Sequence, residues 1–489
     1  MIKSQRIYSI LLYVCIILQS SKAFVTLRIP TRQGIEVVLR QSSSSSTESN
    51  DDITTTCDNH EIILKGKHKW LGGAVDSYGC IWGIPSNAQD IICLAPSSGN
   101  GEYQVHKIPL PSEVSKGKFK WLRGIICDGY LYGIPAWSNA GILRVDIDSY
   151  WKRRESPRMG DIVQILKLPD YYNFLNITSK ELDKNIDGEY PTRWLWHGAA
   201  LNKEKNAIYA IPSNAHHVLK LDLSTFETKL LSIPVTKTPI TQTNKWYGGI
   251  LGNDNAIYGV PYAAAGVLRI DANNDSVQLI GEESFHVAHY NWHGGIKSPK
   301  NGKIYCFPAH NSHVLSIDTN VNHSGKESSL ELLPIHRASY DKDTVTKYKW
   351  LGGALGADGN IYGMPSDASS ILLVDTETNY VSTFGELSGE KNKYQGGTLS
   401  SKNGYVYAIP SNSQNVLCIN TNPDSDGLNA NGKAIEIGYI PKRKDKFQGG
   451  FEGSDGSIYC IPENFDRILK VFPNRGGDAI ISFLTDSTL

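Results

Sequence analysis

Short apolar runs, each broken by a Gly-rich or Asp/Asn-rich turn, follow one another from about residue 61 to the C-terminus. Residues 349–375 show the unit. A short strand opens at Trp350, a Gly-rich turn follows, a second strand ends at Pro365, and a third strand ends at Asp375. The same order recurs eight times. The leading aromatics are Trp70, Trp121, Trp196, Trp246, Trp292, Trp350, Tyr394 and Phe447. The second strands end at Pro85, Pro135, Pro212, Pro261, Pro308, Pro365, Pro410 and Pro462. A fourth alternating run precedes the next aromatic, as at 228–233, 276–280, 380–384 and 434–440. Four short strands in roughly 40–50 residues mark a β-propeller blade. One blade leaves two apolar faces that only a ring of neighbours covers. The pattern predicts an all-β chain: an eight-bladed β-propeller of four-stranded antiparallel blades, with seven blades as the alternative.

The residue types fit these places. Gly-Gly after the aromatic allows close backbone approach near the axis. It becomes Arg123-Gly124 in the second copy and Gly198-Ala199 in the third. Ile-Tyr and Val-Tyr pairs supply the packing of a second strand. Proline then stops it. Asp358-Gly359, Asn403-Gly404 and Asp455-Gly456 are hairpin turns. Two runs, 61–64 and 479–483, both read as outer strands, and one of them must complete the last blade.

The N-terminus has a different texture. Residues 1–23, with Lys3, Arg6, an apolar core from Ile10 to Leu18 and Ser21-Lys22-Ala23, read as a secretory signal peptide. The core is too short for stable membrane insertion. Residues 24–56 are Ser-rich and acid-poor at first, and read as a disordered or transit-like segment. Residues 57–489 form the single propeller domain. The route is thus secretory, ending outside or at the cell surface; the alternative is the plastid of an alga with complex plastids. Sequons at Asn176, Asn274 and Asn322 suit that route.

Composition narrows the function. Lysine and arginine total 49, as do aspartate and glutamate, so net charge gives no case for nucleic acid. Of eight cysteines, Cys80, Cys93, Cys306, Cys418 and Cys460 fall in or beside strands and read as buried small residues. No Cys/His spacing fits a metal, so neither metal nor cofactor is expected. The third strands end at Asp146, Asp222, Asp271, Asp318 and Asp375, without the DxDxD spacing of a calcium loop.

Candidate ligand groups lie on one rim. A lysine precedes the aromatic in six copies: Lys69, Lys120, Lys245, Lys349, Lys393 and Lys446, with Leu195 and Asn291 in the others. They read either as a basic crown or as cations lying over their aromatic neighbours. The turn after proline carries Asn87, Asn139, Asn214, Asn311, Asn412 and Asn464, beside Asp367. These are either turn caps or a ring of amides suited to sugar hydroxyls.

Departures from the repeat add candidates. After the aromatic stand Leu71, Leu122, His197, Tyr247, His293, Leu351, Gln395 and Gln448. His197 and His293, with His216, His217, His310 and His313 in the same copies, are the candidates for base or metal chemistry. Lys297 and Glu452 replace an apolar residue near the end of the first strand. The long interval between Trp121 and Trp196 holds an aromatic loop, 169–192, which is either a recognition element or a lid.

The aromatic-x-Gly-Gly, Asp/Asn-Gly, Ile-Tyr-Gly-Ile-Pro and Val-Leu-x-Ile-Asp series resembles NHL and streptogramin-lyase-like propellers, and loosely kelch propellers. It is similar also to algal repeat proteins built on aromatic-x-Gly-Gly and Ile-Tyr-Gly-Ile-Pro. That resemblance implies the architecture, and no lyase residue is carried over. The expected function is a monomeric, non-enzymatic binding module presenting a polar, basic rim to a protein or glycan. The alternative is a lyase or hydrolase at the axial mouth using His197, His293 and Glu452.

Overall fold

The computed structural model describes residues 23–27, 37–41, 60–97, 102–137, 140–152, 162–169, 194–234, 236–282, 285–287, 289–320, 329–337, 347–423, 433–474 and 479–486. Residues 1–22 of the expected signal peptide, Asn139, Asn176, Asn322 and most of the 169–192 stretch lie outside them. The chain divides into two units, Met1–Asp58 and Asn59–Leu489. In the first, Ala23–Leu27 pairs antiparallel with Val37–Gln41, a short ladder within the segment expected to be disordered.

The second unit is all-β. Its strands form six separate four-stranded antiparallel sheets and one eight-stranded sheet made of two such units. Numbered 1 to 8 in chain order, the units begin at the eight aromatics of the repeat. Units 5 and 6 merge because the long outer strand Ser329–His336 pairs parallel with Val381–Phe384. Among the described residues no helix is long and apolar enough to cross a membrane.

Each unit repeats one construction. In unit 6, Trp350 pairs with Pro365, and pairing resumes at Gly353–Gly363, so Leu351 and Gly352 form a bulge. A bulge bends the strand and needs a residue in the left-handed region. Gly352 supplies it with φ 75°. The bulge recurs in the inner strand of every unit. Trp350 is buried, and its indole N–H donates to the Ser370 carbonyl at 2.8 Å, which satisfies the ring's polar atom. The turn aspartate, Asp358, accepts the Tyr362 hydroxyl at 2.7 Å. Six of the second strands are buried along their whole length, as at Ile361–Pro365, and the other two are buried from their second residue onward, because each is covered on both faces.

The core lies between units. Tyr305 and Phe307 of unit 5 share a cluster with Trp350, Ile361 and Leu372 of unit 6. Tyr459, Ile461 and Ile468 of unit 8 share one with Trp70, Ile81 and Ile92 of unit 1. Inner strands touch in cyclic order, the last meeting the first. The tail Ala479–Phe483 is the outer strand of unit 8, pairing with Leu469–Pro473. The 61–64 run is not: only His60–Glu61 pairs, with Thr485–Asp486. Leu64 N–H instead reaches the Asp466 carbonyl at 2.6 Å.

Candidate functional site at the axial mouth

The six rim lysines are not a basic crown. They are between 0 and 3% exposed. Lys120 Nζ donates to the carbonyls of Ser86 (2.8 Å), Ala88 (2.9 Å) and Gly117 (2.9 Å). The first two belong to the turn after proline in unit 1, so the lysine clasps its neighbour. Lys69 does the same across the closing junction, reaching the carbonyls of Glu463 and Phe465 at 2.8 and 2.7 Å. Lys349 reaches Ala309 and Asn311, Lys393 reaches Ser366 and Ala368, and Lys446 reaches Ser413. Lys245 turns to its own loop, at Ile240 and Gln242. Four of the ammoniums also lie over the following tryptophan at 5.8 to 6.0 Å. The carbonyls draw the ammonium in, and the apolar stem fills the junction. Burial pulls Lys69, Lys120 and Lys446 down to about 8, and Lys245 to about 7.

Most of the rim amides are engaged in the same junctions. Asn87, Asn214, Asn412 and Asn464 accept the backbone N–H of Phe119, Asn244, Asp445 and His68 at 2.7 to 2.8 Å. Asp367 does so for Asn392 at 2.8 Å. Each donor sits at φ between 49° and 55°, without being glycine. The amide therefore bridges to the next unit rather than capping only its own turn. Asn311 departs from the scheme: it accepts the His313 N–H and donates to Asn291 Oδ1. At the closing junction His68 Nδ1 also meets Glu463 Oε1 at 2.7 Å.

Glu452 and Lys297 lie at the far end of the inner strands. Glu452 Oε1 accepts the Ser401 N–H at 2.9 Å and its hydroxyl at 3.0 Å. Lys297 donates to Asn253 Oδ1 at 3.1 Å. Neither stands beside a histidine, so the expected His/Glu452 pairing is not formed. The sequon Asn274 is exposed in a hairpin turn. His216, His217 and His313 sit on the rim outside the aromatic run described next. Cys80, Cys93, Cys127, Cys306, Cys418 and Cys460 are buried free thiols. Among the described residues no group of three His, Cys, Asp or Glu side chains could hold a metal.

What converges is aromatic and imidazole. His197 stacks on Tyr247 at 3.8 Å, Tyr247 on Tyr262 at 4.2 Å, and Tyr262 on Tyr290 at 4.5 Å, all nearly parallel. His293 meets this run edge-on, 5.0 Å from Tyr247 and 6.1 Å from His197. Tyr348 and His310 continue it past Tyr290. The run crosses units 3 to 6 at one mouth of the ring. Nδ1 of His197 and Nε2 of His310 are buried with no hydrogen-bond partner among the described residues. Burial pulls His293 and His310 down to about 4. Burial, then the charge of Arg123, holds His197 well below the usual imidazole range. Burial raises Tyr247 and Tyr262. At neutral pH the mouth therefore presents neutral imidazoles and phenols.

Arg123 is the residue that sequence reasoning passed over, registering it only as a variant of Gly-Gly. It occupies the bulge position that is glycine in the other seven copies, at φ 66°. A Cβ built on Gly198 would lie 3.7 Å from Arg123 Cδ, so the side chain reaches the inner strand of unit 3. A Cβ on Gly248, Gly294 or Gly396 would meet nothing within 4 Å: the axis is open there. Burial lowers the guanidinium pKa, yet Arg123 keeps solvent access, as a side chain in a wet channel does.

No family model matches the chain, and no curated protein matches its sequence. Among solved structures it is similar to a computationally designed protein, Ika8, at 8% identity and TM-score 0.50, covering 87% of this chain and 99% of that one. It is also similar to virginiamycin B lyase from Staphylococcus aureus, at 14% identity and TM-score 0.44, covering 72% and 94%. A streptogramin B lyase gives 14% identity and TM-score 0.43, covering 86% and 96%. These likenesses concern the fold alone.

Proposed function

We propose that the chain is a closed eight-bladed propeller acting as a non-enzymatic binding module, which takes its ligand at the axial mouth of blades 2 to 6. The observation that carries this is the convergence of His197, Tyr247, Tyr262, Tyr290 and His293 on an open axis. The repeated rim groups, by contrast, are engaged in holding blades together. Imidazole and phenol edges offer donors and acceptors to hydroxyls, which favours a glycan over a protein surface. Catalysis is the weaker reading. A general base works best with a pKa near the operating pH, and His293, at about 4, is far below it. We propose further that residues 1–23 direct a monomeric protein into the secretory pathway.

A glycan array probed with the full chain tests the site, repeated with Tyr290→Ala and His293→Ala. Array signals that both variants lose support it. Signals that survive both substitutions place the ligand elsewhere, and cleaved array glycans in mass spectra favour the lyase or hydrolase.

A further inference from the structure

We infer that the axial mouth is a receptor for a monoanionic oxyanion, with Arg123 as the anchoring cation, and that the ligand is an acidic saccharide. This rests on the binding reading above and adds its charge.

Three observations carry it. First, the place is costly for arginine. Seven copies put glycine there, with φ between 69° and 90°, a region that L side chains enter only under strain. Second, the guanidinium is not used by the fold. Among the described residues no hydrogen bond or ion pair engages it, in contrast to the clasp lysines, and burial is what shifts its pKa. Exposed to the channel, the guanidinium is free to take an anion from solvent. Third, Arg123 Cδ lies 3.7 Å from where a Cβ on Gly198 would stand, one residue from His197, and His197 lies 6.1 Å from His293, so the three groups gather at one mouth.

The rim lysines are committed to carbonyls, and the two histidines are neutral at pH 7. Among the described residues Arg123 is a cation at the mouth with no hydrogen bond or ion pair, and a carboxylate or sulfate ester would balance its charge. Guanidinium grips either group through two parallel N–H donors. Imidazole and phenol groups then read the hydroxyls around it.

Calorimetry on the full chain tests this with an oligogalacturonate, its methyl ester and a sulfated galactan oligosaccharide. The expected result is that an anionic probe, carboxylate or sulfate, binds roughly ten- to hundredfold tighter than the neutral ester, the range of a charged hydrogen-bond pair. Arg123→Gly restores the residue of the other copies, so folding is retained, and it should erase that preference. Tyr247→Leu should weaken charged and neutral probes alike. If the neutral ester binds as well as the acid, or if Arg123→Gly keeps the preference, the charge inference is overturned while the binding module stands. If no saccharide binds, neutral or charged, the module reading falls and the inference with it. Which anionic probe binds tells carboxylate from sulfate.

Discussion

Replacing Lys120 with methionine tests the clasp. Methionine keeps the apolar stem but removes three donors to the Ser86, Ala88 and Gly117 carbonyls. Each contact to an ammonium contributes about 1.5–3 kcal/mol, offset by the desolvation of the charge. Orphaning the carbonyls should cost about 3 kcal/mol at pH 7, read as a lowered urea midpoint. The pH dependence gives an independent check. Burial lowers Lys120 from 10.5 to about 8. Between those values the folded protein binds fewer protons than the unfolded chain, so stability rises with pH. From about pH 7.5 to 9.5 this lysine contributes on the order of 2 kcal/mol of that rise. Above about pH 10 tyrosines in the unfolded chain ionise while Tyr247 and Tyr262, raised by burial, do not, and stability falls again. Lys120→Met should therefore both destabilise and flatten the rise. A variant as stable as the parent would refute the clasp, and a parent whose stability does not rise over that interval would show that the carbonyls offset the ammonium's desolvation.

Two more predictions follow from the ring. Deleting residues 474–489 removes the outer strand of blade 8 and the Thr485–Asp486 pairing with His60–Glu61. Thermal unfolding should then begin at the closing junction and at lower temperature, and an unchanged midpoint would mean the tail is not a blade strand. The six buried thiols should resist a thiol reagent until denaturant is added, since burial pushes Cys418 up to about 12 and Cys127 to about 11. Fast labelling in the native state would contradict their burial.

The strand order was legible because it is a local property. Aromatic, Gly-Gly, turn and proline each dictate their own backbone, and eight copies average out the exceptions. Closure was only half legible. Runs 61–64 and 479–483 have the same alternation, and no local rule separates them. The choice depends on which reaches the third strand Leu469–Pro473 from its side. The tail follows that strand directly, and the N-terminal run does not.

The role of the lysines was illegible for a different reason. A lysine before the aromatic in six copies reads as a rim cation, and the sequence does not show that carbonyls of the preceding blade's turn stand within hydrogen-bond reach of five of them. Recurrence itself was the clue. Eight junctions of one geometry call for one solution, so a residue repeated at six of them belongs to the junction. A ligand at the axis meets the blades from one side and needs them to differ. The two copies without the lysine, at Leu195 and Asn291, are the copies carrying His197 and His293. In blade 5 the clasp gives way to neutral contacts: Asn291 Nδ2 donates to the His286 carbonyl at 3.1 Å, and Asn311 Nδ2 donates to Asn291 Oδ1 at 3.1 Å. Blade 2 keeps its lysine but gives up its axial glycine for Arg123. These departures lie in units 2, 3 and 5, and among the described residues Arg123 stands there without a hydrogen bond or ion pair, beside neutral rings. The proposed ligand would meet these three units and the stacked run between them, so it is their substitution, and not that of the clasp lysines, that should change binding without changing stability.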